Sequence, residues 1–212
     1  MRIFLIILFS QFGLISMAQS RETVVTTDIL AEKLGDLDKD GIAEKVIVFN
    51  TKDSTEFGFV RELQILKQKN GALETWKKST NAVLKSEEGG MMGEPFEGVE
   101  IKNGLLILSF SGGSSWKWSY TDKYRFQNNE FALIGHDGIY GENCEYWTIY
   151  EFNLSTGKVV IKKEFEDCEK DSEIYKTENE TFFKKGIRIT LKERKKEEIR
   201  IVSPKYKHEI FL

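Results

Sequence analysis

Apolar residues along this chain recur at alternate positions in short runs, and turn-forming pairs separate the runs. Residues 46–49 form a compact β-rich run. Residues 61–66 alternate and lead to Asn70-Gly71, a pair that favours the tight turn of a β-hairpin, with a return strand over 73–76. The pattern repeats as 99–102, Asn103-Gly104 and 105–110, then as 124–126, Asn128-Asn129 and 131–134. Residues 146–154 and 158–165 flank Ser155-Thr156-Gly157. Near the end, Ile187, Ile189 and Leu191 alternate with polar residues, 193–197 turns the chain, and Ile199 and Ile201 alternate on the return. No window sustains a helical period, and residues 28–34 predict at most a turn or two of helix.

Serial hairpins with so few helix signals predict an all-β, antiparallel hairpin meander, built as a sandwich or as partial propeller-like sheets. Pro95 and Pro204 fall outside the strand interiors, where a missing N–H would break a ladder. Four segments read as connections: the glycine-rich crossover 87–93, the turn His136-Asp137-Gly138, the acidic stretch 166–173, and the mixed-charge run 192–198 as a solvated hairpin tip.

The N-terminus bears on compartment. Arg2 precedes an apolar run over 3–9, and Ser16-Met17-Ala18 supplies a small-x-small cleavage site, the arrangement of a secretory signal peptide cut after Ala18. Ser10, Gln11 and Ser16 interrupt the run, whereas a bilayer span needs about 20 consecutive apolar residues. The mature chain, residues 19–212, is then one secreted or periplasmic domain without a transmembrane span. In that oxidising setting Cys144 and Cys168 are a candidate disulfide, the alternative being two buried thiols. The chain carries 31 basic and 34 acidic residues, a formal charge of −3, which excludes a nucleic-acid partner held by a basic surface. Its 2 Cys and 2 His exclude a Cys/His-rich metal framework.

The sharpest motif is Gly35-Asp36-Leu37-Asp38-Lys39-Asp40-Gly41-Ile42-Ala43-Glu44. Alternating carboxylates on a curled loop can point inward together, and Ca²⁺ takes six to eight oxygens at about 2.3–2.6 Å. Gly41 permits the sharp turn, the Ile42 carbonyl can add an oxygen, and Glu44 can close the shell. An EF-hand needs a bidentate Glu at its twelfth position; counting from Asp36, that position is Ile47, and a strand follows instead of a helix. The motif instead resembles the FG-GAP/VCBS-type calcium loop, D-x-D-x-D-G-x-x-D running into a β-strand, with Glu44 in place of the last Asp. That resemblance implies a structural calcium ion held by side-chain oxygens of Asp36, Asp38, Asp40 and Glu44 and the carbonyl of Ile42. It covers one loop and no second copy occurs. More loosely, the chain looks like secreted proteins of Bacteroidota, which implies a compartment and no activity.

Other constellations are less specific. Ser111-Gly112-Gly113-Ser114-Ser115 lacks the final glycine of a G-x-S-x-G nucleophile elbow and reads as a bulge or wide turn. Trp116, Trp118 and Tyr120 lie at alternate positions and share one strand face, either as core packing or as an aromatic strip for ligand binding. With no catalytic set in view, the sequence predicts a non-enzymatic binding or recognition module with a protein or glycan partner. The alternatives are a carbohydrate-active protein, either sugar-binding or hydrolytic, that uses the aromatic strip, and a purely structural envelope protein.

Overall fold

The computed structural model describes residues 28–170, 173–195 and 198–212. The expected signal peptide lies outside them. Three asparagine-led turns set the framework. Both central residues are left-handed at Asn70-Gly71 (φ +51° and +79°), Asn103-Gly104 (+55° and +74°) and Asn128-Asn129 (+50° and +62°). This geometry matches the natural twist of two antiparallel strands, and asparagine and glycine reach it at least cost.

Four strands, β1 (Ile29–Gly35), β2 (Glu44–Thr55), β3 (Gly58–Lys69) and β4 (Ala72–Ser79), pair in sequence order as one sheet. Seven more form a second: β5 (Phe96–Lys102), β6 (Leu105–Gly113), β7 (Lys117–Gln127), β8 (Glu130–Glu142), β9 (Tyr146–Asn153), β10 (Lys158–Asp167) and β11 (Glu173–Phe183), again in order. A short hairpin of β12 (Arg200–Val202) and β13 (Glu209–Phe211) completes the described strands. All pairings are antiparallel, no sheet closes into a barrel, and the described helical content is two 3-10 turns, Gly90–Met92 and Cys168–Lys170. The all-β antiparallel meander is therefore the observed fold. No described helix is long and apolar enough to cross a membrane.

One apolar core joins the two sheets. Val46, Val48, Leu63 and Ile65 come from the first; Leu106, Leu108, Phe110, Phe131, Phe152, Val159 and Ile161 come from the second. Ile189, Leu191, Ile201, Ile210 and Leu212 cover it from the C-terminal segment. The crossover from β4 to β5 is tied down by buried Arg61, which pairs with Glu94 through both terminal nitrogens and donates from Nε to Asn50 Oδ1 at 3.2 Å.

A charged cluster lies inside this core. Asp122 of β7 accepts from Arg194 Nε at 2.7 Å and sits 2.7 Å from His136 Nδ1, with all three side chains about 1% exposed. Burial alone would raise the Asp122 carboxyl; the Arg194 charge and the His136 contact outweigh it and hold the carboxyl well below the usual carboxylate range. His136 Nε2 continues the chain to the Tyr150 hydroxyl at 3.0 Å and the Phe211 carbonyl at 3.1 Å.

This cluster explains several departures from the sequence reading. His136-Asp137-Gly138 is not a turn: β8 runs through it, with His136 opposite Asp122. Its glycines make room for cross-strand neighbours, since a Cβ on Gly138 would lie 2.4 Å from the Tyr150 hydroxyl oxygen. The run 192–198 is not wholly solvated, because Arg194 is drawn inward to Asp122. Residues 187–191 consequently do not pair with the segment after them. They run beside β8, with hydrogen bonds from Leu133 N to Ile189 O and from Leu191 N to Phe131 O, while β12 pairs with β13. Residues 28–34 form no helix; the free edge of β2 captures them as β1. The acidic stretch ends in β11, an edge strand whose inward positions 178, 180 and 182 are Glu, Glu and Phe and so leave no hydrophobic alternation in the sequence.

Cys144 and Cys168 are bonded, 24 residues apart, so the β8–β9 turn is clasped to the segment following β10. Cys144→Ser with Cys168→Ser is expected to lower stability by about 3–4 kcal/mol by the chain-entropy estimate, read from urea unfolding of wild type and double variant. Asp122→Asn strands Arg194 without a countercharge and is expected to cost about 3–5 kcal/mol at neutral pH. Because the native Asp122 carboxyl is depressed, its contribution is fully present above the unfolded value near 3.9 and fades as pH falls below it. The stabilities of wild type and variant should therefore converge below about pH 4; a gap independent of pH would count against an ionised Asp122.

Candidate metal site in the β1–β2 loop

The loop 36–44 is the connection between the first two strands, closed by the pairing of Gly35 with Glu44. Its carboxylates first organise their own backbone. Asp36 accepts from the amides of Lys39 (2.6 Å) and Gly41 (3.0 Å), and Asp40 accepts from Ile42 N at 2.8 Å. Gly41 takes φ +88°, as the sharp turn requires. Leu37 is buried and fixes the loop to the core, while its amide donates to Glu44 Oε2 at 2.8 Å.

Asp36, Asp38 and Asp40 each present an oxygen, all within 4.8 Å of one another, so the group could hold a metal ion. Two oxygens bound to one Ca²⁺ at about 2.3–2.6 Å can lie no more than about 5.2 Å apart, so the spread is compatible with a shared cation. Glu44 stands beneath them with no exposed surface. Its Oε1 has no hydrogen-bond partner among the described residues. The Ile42 side chain is exposed and its amide is engaged with Asp40.

Sequence reasoning missed Lys67. It projects from β3, and its ammonium donates to Asp38 and, at 2.7 Å, to Asp40; Glu44 Oε1 lies 3.5 Å away. The ring centroid of Trp76 is 5.0 Å from the same nitrogen. The hydrogen bonds to Asp38 and Asp40 push Lys67 well above the ordinary lysine range, and the Lys67 bond, then the Ile42 amide, hold Asp40 below its ordinary value. A tethered cation thus offsets the repulsion among the carboxylates. Held by Asp38 and Asp40, the ammonium stays 3.5 Å from Glu44 Oε1, in ion-pair range but without a hydrogen bond to it. The signal that could have revealed Lys67 is the β2–β3 register, which pairs Lys45 with Leu66 and so carries the next residue to the loop.

The aromatic strip divides. Trp118 and Tyr120 stay on one face of β7, stacked at 5.7 Å and packed against the core. Trp116 precedes the strand, is 43% exposed, and packs instead against Tyr146 with ring centroids 5.0 Å apart. Trp118 and Tyr120 also line a cavity of about 420 Å³ beside β13. No family model, no curated protein and no solved structure matches this chain.

Removing the tethered cation should expose the repulsion it offsets. In chelator, Lys67→Met is expected to lose about 1–2 kcal/mol, the range for charge-assisted hydrogen bonds that solvent partly screens. The loss should grow at low ionic strength. Urea unfolding at two salt concentrations reads both effects, and a salt-independent loss would point to packing against Trp76 instead.

Proposed function

We propose that this chain is an exported, non-enzymatic binding module whose β1–β2 loop is stiffened by a structural calcium ion. The observation that carries the calcium reading is Glu44 Oε1, a fully buried carboxylate oxygen with no described hydrogen-bond partner, set against three aspartates whose oxygens lie within 4.8 Å of one another. Lys67 gives this oxygen a charge at 3.5 Å but no hydrogen bond, and a cation bound directly by it would meet the remaining cost of its burial. Ca²⁺ suits the set because every donor is a hard oxygen and its coordination tolerates irregular loops. Asp36, Asp38, Asp40 and Glu44 would supply the side-chain ligands, with the Ile42 carbonyl adding a backbone oxygen.

Calcium and the Lys67 ammonium would then compete for Asp38 and Asp40. Without the ion the lysine holds the loop in shape; with it the lysine is displaced toward solvent. Export is supported by the signal-like N-terminus and is compatible with the Cys144–Cys168 disulfide. The binding role is supported by the aromatic cavity beside β13, which lies apart from the loop.

Extracellular modules bind calcium with dissociation constants near 10⁻⁴–10⁻³ M, so millimolar calcium should add roughly 0.4–1.4 kcal/mol. For a chain of this size that corresponds to a rise in Tm of roughly 1–5 °C over the chelated protein. Lys67→Met should show a larger rise and tighter calcium binding by calorimetry, whereas Glu44→Gln should show little of either. Equal Tm in calcium and chelator for both wild type and Lys67→Met would overturn the calcium reading.

A further inference from the structure

The cavity beside β13 has a chemical character of its own. Its walls are largely aromatic and aliphatic: Trp118 and Tyr120 from β7, Ile139 from β8, Tyr150 from β9 and Phe211 from β13. At about 420 Å³ it falls in the size range of small-molecule sites, about 300–1,000 Å³. Two of the hydroxyls at hand, those of Tyr150 and Tyr140, are committed elsewhere. Tyr150 is bonded to His136, and Tyr140 donates to the Glu209 carbonyl at 2.9 Å.

Two acidic groups near the cavity already have basic partners. Asp122 is matched by Arg194, and Glu88 lies 3.7 Å from Lys85 Nζ and accepts the Lys85 amide at 2.7 Å. Lys195, which also lines the cavity, has no ion-pair partner among the described residues. Taken over the whole residue Lys195 is exposed, yet its ammonium turns inward to 5.1 Å from the Tyr120 ring centroid. The Arg194 guanidinium lies 5.8 Å from the same ring, and its Nη1 is buried without a hydrogen-bond partner among the described residues. Burial, then the Arg194 charge, pull the Lys195 ammonium down to about 8, against the weaker opposite pull of Asp122, Glu88 and Glu198, none of which is in ion-pair contact with it. Among the described residues, no carboxylate is in ion-pair contact with this ammonium.

We propose that this cavity binds a small carboxylate carried on a flat apolar ring, with the ring against Trp118 and Tyr120 and the carboxylate on Lys195. A single anion would pair with the Lys195 charge, and an apolar ring would pack on the aromatic and aliphatic walls. A sugar, with several hydroxyls to satisfy, suits those walls less well. This names a ligand class for the binding-module reading and rests on it; it is independent of the calcium loop.

The test is calorimetric titration of the full chain near neutral pH with phenylpropionate, the neutral phenylpropanol and glucuronate. Phenylpropionate is expected to bind one to one and about tenfold or more tighter than the alcohol, the preference a charge-assisted hydrogen bond confers. Lys195→Gln, at a turn position exposed as a residue, should abolish that preference while leaving the alcohol's affinity unchanged. Ile139→Trp should fill the cavity and abolish binding of both, with circular dichroism confirming the fold. Equal affinity for acid and alcohol, or no binding of phenylpropionate to the wild type, overturns the proposal. Binding of glucuronate without phenylpropionate also overturns it, but leaves the binding-module reading standing.

Discussion

A carboxylate buried on β7 is kept ionised by a guanidinium that arrives 72 residues later in the chain, and the placing of the whole C-terminal segment depends on that meeting. Burying a lone charge in a low-dielectric interior is prohibitive, and a buried pair recovers its desolvation cost only when the geometry is good. Asp122 receives Arg194 on one side, lies against His136 on the other, and accepts a long bond from the Tyr124 hydroxyl at 3.3 Å. His136 then reaches the Phe211 carbonyl, so strand β13 is registered on the sheet by the same network. We hypothesise that its main effect is directional: a shifted C-terminal segment would leave at least one charge stranded.

Where structure is decided locally, the sequence was informative. The three asparagine-led turns specify both their own dihedral angles and the register of the strands they join, for example Lys69 opposite Ala72 and Lys102 opposite Leu105. Where a partner far along the chain decides, local pattern failed. Gly135 and Gly138 resemble turn residues until Lys123 and Tyr150 are seen lying over them. Strands β1 and β11 are edges with mostly exposed side chains, so hydrophobic alternation has little to record. Arg194 looked solvated among its charged neighbours because its partner is not near it in sequence.

The same division runs through the candidate sites. The carboxylates of the β1–β2 loop were legible because their spacing and the following strand are local facts. The burial of Glu44 follows from its place at the start of β2, opposite Gly35. Lys67 was not legible, since only the pairing of β2 with β3 carries it to the loop. Alternation placed Trp118 and Tyr120 on one face, but alternation cannot say which face turns inward, and it does not reveal that the strand begins only after Trp116.

Strict sequence order within both sheets has a bearing on assembly. Each strand of the meander pairs with one that has just preceded it, so most backbone contacts close short loops at small entropic cost. The C-terminal contacts are of another kind: Ser79 meets Leu191 across 112 positions, and His136 meets Phe211 across 75. Pairings within the sheets therefore close at lower entropic cost than the contact that brings Arg194 to Asp122 across 72 positions. The C-terminal segment is thus the part of the core whose place depends on contacts distant in sequence, and it carries the largest loop-closure cost of the fold.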